Sequence, residues 1–286
     1  MESSPQGWYK DPYGRMPFRW WDGTTWSPYA RGDDVQWDPI ESASLETTRR
    51  PGVPTMGVAL LGFAAAVGLS FLVLWLLRSN GKPGGIWVEL VLSEVALWLP
   101  MLATCWYVSR RRGERSLVTD FGLRWRPLDI GLGLAGSLAA RSTESILLLP
   151  IVIVHPHFRV PEVSQFQQFT YGVSGWITLA FVTCVGAPIV EELFFRGLIQ
   201  TRLVGRYGPA IGIGVTSILF GAAHLIGWAG SISLIYALGI VGAGVALGTM
   251  RHLTGRLGTS MMTHCFFNAQ ALLIVAFVHS PTLMIR

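Results

Sequence analysis

Hydrophobic and polar positions divide this chain into two regimes. Residues 1–54 are polar with interspersed aromatics, and beyond them long apolar runs alternate with short polar connections. A membrane-crossing helix needs roughly 20 mostly apolar residues. Seven segments reach that length: 55–77, 86–108, 128–154, 173–200, 209–227, 231–249 and 258–280. The first, TMGVALLGFAAAVGLSFLVLWLL, carries no charge. The sixth is short and glycine-rich, with Gly244 and Gly248 at the four-residue spacing that lets helix backbones approach closely. The pattern predicts an all-α, polytopic transmembrane bundle of about seven spans. Some fifty polar residues precede the first apolar run, which is not the layout of a secretory leader.

The aromatic and turn pattern of the N-terminal stretch predicts a different element. GWYKDPYGRMPFRWWDGTTWSPYA carries turn signals at DPYG and at Asp22-Gly23 between aromatic flanks. A small unit of two or three β-strands over residues 1–31 is expected, followed by a polar linker over 32–54. Trp8, Trp20, Trp21 and Trp26 must be buried on something, since so short a sheet is marginal alone. Two readings stand: a mini-fold resting on the membrane or on the rest of the chain, or a module that binds a protein partner through its aromatics. The segment resembles a short, tryptophan-rich N-terminal domain of unknown function found in actinobacterial membrane proteins. The resemblance rests on Trp8-Tyr9, Asp11-Pro12, Arg19 to Gly23 and Trp26. It implies no activity.

Composition and charge sharpen the membrane reading. Hydrophobic residues make up 51% of the chain and charged residues 14%, against ~25% charged in soluble domains. The formal charge of +5 is unevenly placed. Lys10, Arg15, Arg19, Arg31, Arg49 and Arg50 precede the first span; Arg110, Arg111, Arg112, Arg115, Arg124 and Arg126 crowd the second connection. Arg202 and Arg206 lie in the fourth, Arg251 and Arg256 in the sixth. The intervening connections hold only Arg78, Lys82 and Arg159. This alternation follows the positive-inside rule and predicts a cell-membrane, multi-pass protein with a cytoplasmic N-terminus, seven crossings and an external C-terminus. The basic loops read as topology signals and lipid-facing charge, and no nucleic-acid partner is expected. Cys105, Cys184 and Cys265 all fall inside predicted spans, so packing is their expected role rather than a disulfide framework.

Ionisable groups within spans mark pairing or function, because burying them in lipid is unfavourable by several kcal/mol. Arg141 and Glu144, three apart on the third span, are expected to form a structural ion pair, with Glu94 of the second span able to join them. A richer group lies further on. Glu191, Glu192 and Arg196 occupy the fourth span, His224 closes the fifth, and His264 and Asn268 share a face of the seventh. Arg196 follows Glu192 by four residues, so the two should pair, and Glu191 should point about 100° away around the helix. Glu191 and His224 each lie about 16 residues from the RYGPA turn between them, hence at one height. His264 and Asn268 fall roughly 10–15 Å inside the seventh span, so the depths agree only loosely. Each group alone has a structural explanation. Two glutamates, two histidines, an arginine and an asparagine on three helices point together to a site.

Such a set could hold and deprotonate a water with a carboxylate and a histidine. A second histidine with an amide could stabilise an oxyanion. Glu191, His224 and His264 could instead bind zinc with an open position, although no compact His-Glu-x-x-His motif is present.

The residues Glu191-Glu192-x-x-x-Arg196, Phe220-x-x-x-His224 and His264-x-x-x-Asn268 resemble, in order and spacing, the three motifs of the CAAX-protease and bacteriocin-processing (CPBP, Abi, Rce1-like) family of intramembrane proteases. The resemblance covers about residues 173–280, leaving 55–172 as three generic spans. It implies an endopeptidase hydrolysing peptide bonds of membrane-embedded or lipidated peptides with a glutamate-activated water. It further implies Glu191 as base, helped by His224; His264 and Asn268 as the oxyanion hole; and Glu192 and Arg196 as supports. No cofactor is expected, with zinc as the alternative. Rival readings are a non-catalytic membrane scaffold or immunity protein, and a proton-coupled transporter, against which stands the lack of an evident internal repeat.

Overall fold

A computed structural model describes residues 5–12, 14, 16–23, 26–37, 55–81, 85–154, 172–225 and 231–278. Most of the predicted linker, Lys82, Arg159 and the last residues of the predicted seventh span lie outside the described residues.

The N-terminal stretch forms an antiparallel meander of four strands: β1 (Gly7–Lys10), β2 (Phe18–Trp21), β3 (Trp26–Arg31) and β4 (Val35–Trp37), in that spatial order. The fourth strand lies beyond the boundary predicted at residue 31, in the stretch read as linker. The two turn signals work as read, with Gly14 and Gly23 at positive φ (66° and 96°) in the β1–β2 and β2–β3 connections. The sheet has little apolar interior. It is organised instead around the buried guanidinium of Arg19, which donates to Asp11 Oδ1 at 2.8 Å and to the Ser27 carbonyl at 3.2 Å. Indole pairs flank that ion pair, Trp8 against Trp20 and Trp21 against Trp26, with ring centroids 5.5 and 5.1 Å apart.

The remainder is helical. The elements are α1 (Thr55–Ser79), α2 (Gly85–Arg112), the short α3 (Leu117–Phe121), α4 (Leu128–Val154), α5 (Gly172–Tyr207), α6 (Pro209–Ala223), α7 (Ser231–Thr254) and α8 (Leu257–Val278). Six of them are long and apolar enough to cross a membrane, so this is a multi-pass membrane protein. The expected fifth span is the exception. It is a helix of 15 residues, Pro209–Ala223, about 22 Å long at 1.5 Å per residue and short of a ~30 Å hydrocarbon layer. It stops at His224, and residues 226–227 of the expected span lie outside the described residues.

Small residues set the helix crossings. A Cβ on Gly242 of α7 would come within 2.8 Å of the Thr143 carbonyl oxygen and 2.9 Å of Glu144 Cα on α4. Gly248 lies against Gln200 and Ile213, and Gly244 against Ser217, so the spaced glycines of α7 pack as the sequence suggests. Polar ties fix one end of the bundle. Asp129, at the start of α4, accepts from the Arg126 backbone N–H and from Nε of Arg256 at 2.8 Å. The Leu257 N–H donates to the Gly122 carbonyl and the Arg251 guanidinium to that of Phe121. This meshes the α3 connection with the α7–α8 turn.

Candidate active site

The long helix α5 is interrupted by two π-helical stretches, Val182–Gly186 and Glu192–Gln200. Such turns shift the faces a helix presents and recur at functional sites. Glu191 and Glu192 lie at the junction of regular and π-helical geometry and point to different surroundings.

Glu192 is wholly enclosed. Its Oε1 accepts from Arg196 Nη1 at 3.0 Å and from His264 Nδ1 at 3.0 Å, and both Glu192 and Arg196 have 0% side-chain exposure. The Arg196 guanidinium lies 4.1 Å over the Phe220 ring. Because a carboxylate already shared with a guanidinium acts as acceptor, Nδ1 of His264 carries a hydrogen and Nε2 faces the other way. There it meets Glu191, whose Oε2 lies 4.0 Å from His264 Nε2. Glu191 Oε2 is buried with no hydrogen-bond partner among the described residues.

His224 stands at the end of α6, its Nδ1 2.8 Å from the Phe220 carbonyl oxygen. A carbonyl only accepts, so Nδ1 donates, and in the neutral ring Nε2 is the acceptor. Phe220 packs edge-on against both imidazoles, with centroids 4.7 Å from His224 and 5.7 Å from His264. One aromatic ring thus spaces the two histidines and the arginine. Asn268, one turn along α8 from His264, donates from Nδ2 to the Thr183 carbonyl at 2.7 Å, in the first π stretch of α5. The second amide hydrogen of that nitrogen is not used by this bond.

Glu191, His224, His264 and Asn268 all line one cavity of about 370 Å³ between α1, α2, α5, α6, α7 and α8. Its remaining wall is largely apolar, including Phe63, Phe71, Leu97, Tyr236 and Phe267. The loose agreement in depth expected from the sequence has a structural resolution. α8 begins level with Gly197, not with the end of α5, since a Cβ on Gly197 would meet Leu257 at 3.3 Å. Glu191 lies six residues from that level and His264 seven, or about 9 and 10 Å along their helices.

Arg141 and Glu144 pair as expected, Nη1 to Oε2 at 2.6 Å. Arg141 also donates to the Phe267 carbonyl at 2.9 Å, tying α4 to α8. Glu94 does not join them. It lines the cavity beside Glu191, a placement the sequence reading missed. Thr183, whose carbonyl holds Asn268, was missed as well, and no side-chain signal marks it.

Zinc would need three donors at about 2.0–2.2 Å from one point. Among the described residues, no three His, Cys, Asp or Glu side chains converge closely enough to hold a metal ion. Glu191, His224 and His264 share the cavity without forming such a set.

An all-helical membrane bundle with an acid–histidine cluster opening on an internal cavity defines the class: a multi-pass membrane protein with a polar site inside its bundle. Residues 173–270 match the family model described as Type II CAAX prenyl endopeptidase Rce1-like. The family so described is one of peptidases. Comparison with curated proteins and with solved structures finds no match.

Proposed function

We propose that the chain is an intramembrane endopeptidase that hydrolyses membrane-associated or lipid-modified peptides with a water activated by Glu191. The observation that carries this reading is Glu191 Oε2, buried and without a protein partner in a cavity it shares with His224, His264 and Asn268. A buried carboxylate oxygen without a donor is satisfied by water. A carboxylate holding a water is the general base that hydrolysis needs.

In this reading Glu191 takes the proton of the attacking water and delivers it to the leaving amide nitrogen. His224, with Nε2 as acceptor, helps to hold that water. Asn268 donates its remaining amide hydrogen to the carbonyl oxygen as charge develops there, and His264 donates from Nε2 in its protonated form. Glu192 and Arg196 act through His264 by fixing its Nδ1 and ring plane. The apolar wall suits a lipid chain or an apolar peptide. We keep the reaction free of metal because the candidate donors do not converge.

The test uses purified protein in lipid nanodiscs and a quenched fluorescent peptide bearing a farnesylated cysteine near its C-terminus. Glu191→Gln is expected to lower kcat by about 10²–10⁴, the contribution of a positioned general base, with insertion and folding unchanged. A Glu191→Gln rate within threefold of the parent would overturn the assignment. Activity lost on exhaustive chelation and restored by zinc would overturn its metal-free form.

A further inference from the structure

The acids of the described spans divide into two groups. Four are matched by an arginine: Glu89 by Arg78, Asp129 by Arg256, Glu144 by Arg141 and Glu192 by Arg196. Two are not, Glu94 and Glu191, and both line the same cavity. Glu191 has a role in the reaction proposed above. Glu94 has none, yet it is deep among the helices, within electrostatic reach of Glu191 and without a hydrogen bond or ion pair among the described residues. Among the described residues, the cavity wall offers no lysine or arginine to either carboxylate. Its other charge-bearing groups are His224 and His264, whose Nδ1 atoms are engaged elsewhere.

A charged group in an apolar interior is tolerated when it meets a counter-charge, and among the described residues the four acids above have one. No such group stands against Glu94 among the described residues. We propose that Glu94 recognises a cationic side chain of the substrate, a lysine or arginine within about three residues of the scissile bond. The proposal rests on the proteolytic reading of the same site. The reach is set by chain geometry. An extended peptide rises ~3.3 Å per residue, so a peptide with its scissile bond at Glu191 carries neighbouring side chains along the cavity wall. The long aliphatic stems of lysine and arginine lie against apolar walls while the head group seeks a polar partner. The cavity provides both, with Leu90 and Leu97 on the same helix as Glu94.

The experiment scans one lysine through three positions on each side of the scissile bond in the farnesylated peptide. Each lysine peptide is compared with its norleucine counterpart, which keeps the stem and removes the charge. The full chain in nanodiscs is assayed for kcat/KM, and Kd is measured by fluorescence anisotropy on N-methylated, uncleavable versions. At one position or two adjacent ones, lysine is expected to exceed norleucine by about tenfold or more in both quantities, as for a hydrogen bond to a charged partner. Glu94→Gln should abolish the discrimination, and Glu94→Lys should transfer it to a glutamate peptide. Equal handling of lysine and norleucine at every position, or a preference that survives in Glu94→Gln, would overturn the proposal. If the parent cleaves no peptide, the proteolytic reading falls, and the binding measurements still decide on Glu94 by the same criteria.

Discussion

Replacing Arg196 with methionine tests whether the enclosed Glu192–Arg196–His264 cluster is held by mutual charge compensation. The guanidinium has no exposed surface, bonds Glu192 Oε1 at 3.0 Å, lies 3.4 Å from the Gly244 carbonyl and covers the Phe220 ring. Methionine keeps most of the aliphatic volume, so the cavity contribution is small. What remains is the Glu192 carboxylate with His264 and Ser260 beside it and no guanidinium to balance its charge. Breaking a buried pair from one side destabilises by about 3–5 kcal/mol, because the surviving charge stays in low dielectric. Glu192→Gln has the mirror consequence, a buried guanidinium without its carboxylate, and a similar magnitude. Combining the two removes both charges. The double variant should then be no less stable than the milder single one, a departure from additivity of about 3 kcal/mol. Equilibrium unfolding in mixed micelles, followed by tryptophan fluorescence on all four proteins, measures the cycle. Single variants within about 1 kcal/mol of the parent, or a double variant that equals the sum, would refute the argument.

Two further outcomes follow from packing and from the sheet. Gly242→Ala should destabilise by about 1–3 kcal/mol, since its Cβ would press on α4 backbone atoms that cannot yield. Gly68→Ala, with nothing within 4 Å of its Cβ, should stay within about 0.5 kcal/mol in the same unfolding assay. Asp11→Ala removes the carboxylate that accepts from Arg19 and from the Met16 N–H. Limited proteolysis should then cut within residues 5–37 while the helical region resists as in the parent.

Much of this architecture was legible because a bilayer imposes a length that a sequence cannot hide. The predicted third span, 128–154, coincides with α4, and five others fall within a few residues of their helices except where a helix runs on into a basic end, as α2 does through Arg112 and α5 through Tyr207. The segment 209–227 failed because apolar composition alone cannot tell a helix of crossing length from a shorter one. PAIGIGVTSILFGAA has the composition of a span, yet its helix ends at the histidine that the cavity uses. The ion pairs at four- and three-residue spacing, Glu192–Arg196 and Arg141–Glu144, were readable for the opposite reason: both partners sit on one helix, where the period is fixed.

Glu94 shows where the reading runs out. In a soluble helix the polar face marks the outside, so the side that meets the protein can be found from periodicity. α2 is largely apolar, and its lipid face and protein face look alike in sequence. Only packing distinguishes them: a Cβ on Gly186 of α5 would strike the Trp98 ring, and Cys105 Sγ lies 3.9 Å from the Leu193 carbonyl oxygen. Trp98 and Cys105 follow Glu94 by four and eleven residues, the spacing of one helical face, so the face that meets α5 carries Glu94 to Glu191 and away from Arg141. The same logic explains why the adjacent glutamates differ. On any helix Glu191 and Glu192 diverge by about 100°, so the four-residue spacing that brings Arg196 to Glu192 leaves Glu191 turned to the cavity. The sequence marks both residues as unusual in lipid. The packing of α2, α6 and α8 around them encloses Glu192 with Arg196 and His264 and leaves Glu191 Oε2 with no hydrogen-bond partner among the described residues.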